Sequence, residues 1–203
     1  MKKIELAMLL GMIITIILTG ITSFADEYNG ITDSVFRLHI LANSDSEEDQ
    51  VLKLKVRDEI LSQTSYIFEG KHSAEEAKII AKENLEEIKR IAKKTITDNG
   101  YSYNVECEVT DMYFNTRIYD GITMPQGVYK ALRITIGEAE GKNWWCVMFP
   151  PLCLPAVTSI DDVLADYSDV FTEEEIDMLQ NPQKYEARFF LVELYYKIKE
   201  TLK

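Results

Sequence analysis

Two histidines and three cysteines are the entire stock of imidazole and thiol in this 203-residue chain. Nucleophilic and metal chemistry therefore has few starting points. His72 sits beside Lys71 in a charged loop, where solvation explains it. His39 lies on the polar side of a predicted strand and is expected to make a structural hydrogen bond. No H-E-x-x-H, C-x-x-C or G-x-S-x-G occurs, and no glycine-rich loop leads into a helix. No zinc, haem or other cofactor site is expected. Carboxylates are abundant, 34 Asp and Glu against 22 Lys and Arg, and a carboxylate pair is what a glycoside hydrolase needs. An exported cell-wall hydrolase is thus the alternative reading. Yet the carboxylates fall on helix faces and in runs such as Glu173-Glu174-Glu175, where solvation accounts for them. The cluster Asp45, Glu47, Glu48 and Asp49 lacks the Gly and terminal Glu of a calcium loop; helix capping explains it better.

The cysteines are Cys107, Cys146 and Cys153. An odd count in an exported chain suggests one disulfide and one buried thiol. Cys146 and Cys153 are close enough in sequence to pair, although two buried free thiols satisfy the same pattern. Cys107 alternates with Val105 and Val109 and reads as a small core residue.

Aromatic and basic residues gather on the predicted strands. Alternation in Tyr113–Tyr119 puts Asn115, Arg117 and Tyr119 on one face and Phe114, Thr116 and Ile118 on the other. In Val128–Ile136, Tyr129, Ala131 and Arg133 share a face. If the apolar faces meet helices, the opposite face collects Arg37, His39, Arg117, Tyr119, Tyr129 and Arg133, partly neutralised by Glu106 and Glu108. Trp144 and Trp145 are close by. Tyr, Trp and Arg anchor protein interfaces, so Arg117, Tyr119, Tyr129, Arg133, Trp144 and Trp145 are the candidate partner-binding residues. The competing reading is a second core layer covered by the last helix.

The elements that must position these residues follow from periodicity. Val35–Ala42 reads as a first strand. A helix capped by Ser44 or Ser46 runs to Phe68, and Gly70 ends it. Ser73–Asp98 reads as one helix, with a Ser73/Glu76 capping box and a stripe of Ala77, Ile80, Ala81, Leu85, Ile88, Ile91, Ala92 and Ile96. Tyr103–Thr110, Tyr113–Tyr119, Val128–Ile136 and Asn143–Phe149 read as strands. Helices follow near Ile160–Tyr167, Thr172–Leu179 and Pro182–Leu202. The expected fold is α/β (α+β). It is a mixed, largely antiparallel sheet of about five strands with two long helices on one face, followed by C-terminal helices.

Lys2 and Lys3, an apolar stretch from Leu6 to Leu18 and the small residues of Ser23-Phe24-Ala25 form a secretory signal with cleavage expected after Ala25. An uncleaved anchor over Leu6–Ala25 is the alternative. Residues 26–203 would then be a single domain. Losing Lys2, Lys3 and Glu5 moves the net charge from −12 to −13, which disfavours nucleic acid and anionic lipid. Any membrane contact is expected through the N-terminal segment alone.

Four stretches carry a resemblance. They are Phe36-Arg37-Leu38-His39-Ile40-Leu41-Ala42-Asn43-Ser44-Asp45, Phe114-Asn115-Thr116-Arg117, Gly127–Ile134, and Asn143-Trp144-Trp145-Cys146-Val147-Met148-Phe149-Pro150-Pro151-Leu152-Cys153. Together they resemble the stage II sporulation protein R family over most of residues 31–153, continuing weakly into Phe189–Leu194. The resemblance implies a signalling protein without catalytic residues. It would be exported from the forespore into the space between two membranes and would activate a membrane-embedded aspartic protease of the mother cell. That protease would then process the precursor of the early mother-cell sigma factor, and no small-molecule substrate is implied.

Overall fold

A computed structural model describes residues 2–64, 73–119, 121–152, 168–185 and 189. In Phe36–Leu41 (β1) strict alternation sends Phe36, Leu38 and Ile40 to one face and Arg37 and His39 to the other. β1 pairs in parallel with Gly127–Ile136 (β5) and antiparallel with Asn143–Phe149 (β6), while β5 pairs antiparallel with Val105–Phe114 (β2). The sheet order is β2-β5-β1-β6. It is mixed and mostly antiparallel, as expected for the α+β class.

The expected five strands become a four-stranded sheet and a separate ribbon. The two strands expected at Tyr103–Thr110 and Tyr113–Tyr119 are one strand as far as Phe114. Arg117–Tyr119 (β3) then pairs with Ile122–Met124 (β4) in a two-stranded unit. The break at Asn115-Thr116 ends the expected alternation, so Phe114 shares the Arg37 side with Arg117 and Tyr119, which lie there as expected. Phe114 pairs across from Gly127 and lies on the Arg37 side, away from the two long helical segments.

Those segments are Glu47–Thr64 (α2) and the pair Ala74–Glu83 (α3) and Leu85–Asp98 (α4). The single helix expected over Ser73–Asp98 is interrupted at Asn84, whose side-chain amide donates to the Ile80 carbonyl at 2.9 Å. Such side-chain bonding competes with the helix ladder. The capping box holds: the Ser73 hydroxyl accepts from Glu76 N–H, and the Glu76 carboxylate accepts from Ser73 N–H. Leu52, Val56, Ile60, Ala77, Ala81, Ile88, Ile91 and Ile96 close over Leu38, Ile40, Leu132, Ile134 and Val105 as the first core.

The second face is also covered. Lys2–Asp33 (α1) is one continuous helix, and its end packs with Glu173–Gln180 (α5) over the sheet. Phe24, Tyr28 and Ile31 join Phe114, Tyr129, Ala131, Val147, Phe171, Met178 and Leu179 in a second core. Gly30 makes the approach possible, because any side chain there would overlap the Glu175 carboxylate. Leu6, Met8, Leu9, Leu10, Met12 and Ile13 are exposed further up α1. Among the described residues no helix is long and apolar enough to cross a membrane.

The expected boundary after Ala25 thus falls inside a helix that packs on both sides of it. The helix expected at Ile160–Tyr167, most of that expected over Pro182–Leu202, and His72 lie outside the described residues. Pro182–Lys184 is a short 3-10 turn. Phe24 is 3% exposed and rests against Tyr28, Tyr185 and Phe189. Phe24→Ala in the full chain is expected to cost about 3 kcal/mol of unfolding free energy, read from urea denaturation. An unchanged midpoint would show that the domain does not use residues before Asp26.

Candidate functional site

On the second face of the sheet, β1 buries two polar side chains, Arg37 and His39, among aromatic rings. Arg37 is fully buried. Its guanidinium lies 4.1 Å from the Phe114 ring centre, 4.8 Å from that of Tyr129 and 5.8 Å from that of Tyr119. Arg37 Nη2 donates to the Tyr119 hydroxyl at 2.7 Å, while Nε and Nη1 have no hydrogen-bond partner. Burial pushes the Arg37 pKa down, partly offset by Tyr119 and Tyr129. The Tyr129 hydroxyl is used elsewhere, donating to the Pro125 carbonyl at 2.5 Å. The rings attract the cation through their faces, most strongly where water is excluded.

Two residues along, His39 lies between Arg133 on β5 and Trp145 on β6. Its ring stacks on Trp145 with centres 4.1 Å apart and planes at 10°. Nε2 donates to Asn143 Oδ1 at 2.6 Å, so the proton sits there and Nδ1 is bare. Burial lowers the His39 pKa below its ordinary value; the Asn143 bond opposes this and Arg133 adds to it. The neutral ring is a packing group held by one hydrogen bond, as the sequence pattern anticipates.

The six candidate partner-binding residues are not brought together. Tyr129 is buried beneath α1, at 1% exposure. Arg133 is bonded to Glu108 at 2.8 Å, whereas Glu106 pairs with Lys89. Trp144 belongs to the opposite face, against the first core, with Arg57 stacked 4.2 Å above its ring. Arg117, Tyr119 and Trp145 do cluster: the exposed Arg117 lies 5.6 Å from the centre of the half-buried Trp145. The competing second core layer accounts for most of this face, built largely from α1 and α5. Cys146 is disulfide-bonded and Cys107 is a free thiol, whereas Cys153 lies outside the described residues. Burial pushes the Cys107 pKa up to about 12, which makes its thiolate scarce.

One polar constellation has a plain signal in the Asn43-Ser44-Asp45 turn but a role that spacing does not reveal. Asp49 accepts from Asn43 at 2.8 Å and from Ser44 at 2.6 Å, and Ser46 caps α2 by accepting from Asp49 N–H. Burial raises the Asp49 pKa, but the bonds from Ser44, Asn43 and Tyr103 outweigh it and leave the pKa low. Asn43 Oδ1 receives Glu138 N–H, Asp45 receives Lys142 N–H, and buried Lys53 donates to the Lys142 carbonyl. Gly137, in the left-handed region at φ +61, has no room for a side chain beside Asn43. The β5–β6 turn is thereby fastened to the start of α2, which sets β6 and its tryptophans against β1. Among the described residues no group of His, Cys, Asp and Glu is arranged to hold a metal ion.

Residues 32–159 match the family described as Stage II sporulation protein R. The chain is 42% identical over 123 residues to Stage II sporulation protein R of Bacillus subtilis (strain 168), covering 61% of this chain and 55% of that protein. The chain thus matches little more than half the length of that relative. No solved structure matches.

The lowered His39 pKa has a pH consequence. Below about 6.5 the unfolded chain takes up a proton that the folded chain resists. His39 therefore contributes its full stability above that value and loses it as the pH falls. The thermal midpoint is expected to drop between pH 7 and 5.5 in the parent and to fall less in His39→Gln. Equal slopes would place the effect on other groups.

Proposed function

We propose that this chain, which belongs to the stage II sporulation protein R family, is an exported signalling protein of sporulation and not an enzyme. It crosses the forespore membrane and activates a membrane-embedded aspartic protease of the mother cell. The protease then processes the precursor of the early mother-cell sigma factor. The observation that carries this reading is the family match through residues 32–159, which contains β1, the ribbon and the tryptophan run. The use of the second face supports it: His39 and Arg37 are enclosed by rings and one hydrogen bond each. An acidic chain, net −12, also favours a protein partner over nucleic acid.

An activator works by binding the active state of its receptor more tightly than the inactive one. Moving such an equilibrium from 1:99 to 99:1 takes about a 10⁴-fold difference in affinity. The part of the original cluster suited to that contact is Arg117, Tyr119 and Trp145, together with Ile118, which is 76% exposed on β3. An exposed large apolar residue flanked by Arg and aromatic side chains is the composition of an interface anchor.

The direct test is co-expression of the full chain with the receptor protease and the sigma-factor precursor. Precursor cleavage is expected with the parent. It should fall at least about tenfold with Arg117→Ala or Ile118→Asp, with circular dichroism unchanged. Full cleavage by both folded variants would remove the ribbon from the contact. Cleavage that does not depend on the chain, or peptidoglycan fragments released by the purified chain, would remove the signalling reading itself.

A further inference from the structure

Arg37 presents a problem the fold does not solve by itself. A guanidinium cannot shed its proton at physiological pH, and a buried charge without a counter-ion is costly. Yet among the described residues no carboxylate pairs with Arg37, and two of its three nitrogens lack any hydrogen-bond partner. The faces of Phe114 and Tyr129 hold the cation in place without satisfying its N–H groups.

We propose that the Arg37 cage is a receiving site for a carboxylate, in which an acidic side chain of a peptide takes the place of the Tyr119 hydroxyl. The shape of the guanidinium supplies the reason. Nη2, the nitrogen bonded to Tyr119, shares one edge of the plane with Nε and the other with Nη1. A single hydroxyl oxygen at that corner satisfies one donor. A two-oxygen carboxylate in the same position forms two parallel N–H···O bonds along either edge, the strongest pairing available to arginine.

Access runs through the ribbon. Tyr119 is half-buried on the three-residue strand β3, which pairs with β4 outside the four-stranded sheet. Lifting β3 therefore breaks none of the ladder bonds that hold β1, β5, β2 and β6 together. The charge balance selects the ligand class. The cage encloses one guanidinium; Arg117 lies over Trp145, exposed to solvent, and its like charge adds to the positive field at Arg37. One carboxylate neutralises the enclosed guanidinium, whereas a phosphate dianion would leave a buried negative charge. The ribbon's exposed Ile118 gives a peptide an apolar contact beside the acidic anchor. The site goes beyond the proposed signalling role and stands on the Arg37 geometry, whatever protein carries the peptide.

The test uses the full chain in detergent micelles, labelled with ¹⁵N-arginine. The Arg37 Nε–Hε signal is assigned through Arg37→Lys, or through its displacement in Tyr119→Phe if the lysine variant does not fold. The probes are acetyl-Gly-Glu-Gly-amide, its Gln counterpart, sodium acetate and inorganic phosphate, at constant ionic strength. The glutamate peptide is expected to shift the Arg37 signal saturably, acetate to do so at higher concentration, and the glutamine peptide not at all. Tyr119→Phe, which removes the competing oxygen, is expected to lower the half-saturating peptide concentration about threefold or more. The proposal is overturned if neither the parent nor Tyr119→Phe responds saturably to the glutamate peptide, or if the glutamine peptide acts equally. Phosphate saturating before the peptide would also overturn it. Acetate matching the peptide would replace the peptide with a free carboxylate and so defeat that part of the claim.

Discussion

A guanidinium lies fully buried in the centre of the second face of the sheet, and much of that face is arranged around it. β1 is enclosed on both sides, with Phe36, Leu38 and Ile40 in the core under α2 to α4, and Arg37 and His39 beneath the rings of Phe114, Tyr119, Tyr129 and Trp145. Alternation alone forces this, because a strand covered on both faces must bury whatever its odd positions carry. An apolar residue would have been the cheaper occupant. With arginine there, Phe114, Tyr129 and Tyr119 are used as ring faces and one hydroxyl. Phe114 further touches His39 and Trp145 edge-on. The aromatic residues of the middle of the chain thus form one layer that encloses a cation.

The position of that layer depends on a second set of polar groups at the end of the sheet. Asn43, Ser44 and Asp49 bond one another, and Asn43, Asp45 and Lys53 fasten the β5–β6 turn. Because the register is set by these contacts, His39 faces Trp145 across β6 and Arg37 faces Val147. A one-residue slip would exchange Trp144 and Trp145 between the two cores. The residues that carry the family signature therefore serve mainly to hold the sheet in register.

The ribbon stands apart from this economy. β3 and β4 pair with each other, and Tyr119 contributes its hydroxyl to Arg37 while Ile118 faces outward. A short element that covers a buried charge and exposes a large apolar side chain joins the interior to the surface in three residues. The two strands of the ribbon differ in how firmly they are held: β4 is anchored in the second core through Ile122 and Met124, whereas β3 is exposed or half-buried, the condition that favours local opening.

The amino-acid order by itself determined the α+β class, β1, β5 and β6 nearly to their ends, the capping box of α3, the structural hydrogen bond of His39 and the family. These rest on period-two and period-three-to-four patterns and on rare local runs, which are properties of neighbouring residues. Tertiary structure decided the rest. It fused two expected strands into β2, split off the ribbon and drew Phe24 of the expected leader into a core. It also separated Trp144 from Trp145 and buried Tyr129. The physical reason is that alternation says which residues share a face but not what covers that face. Covering is settled by contacts between segments far apart in the chain, here α1 against β5 and α5 against α1 and β4, and no local pattern encodes them.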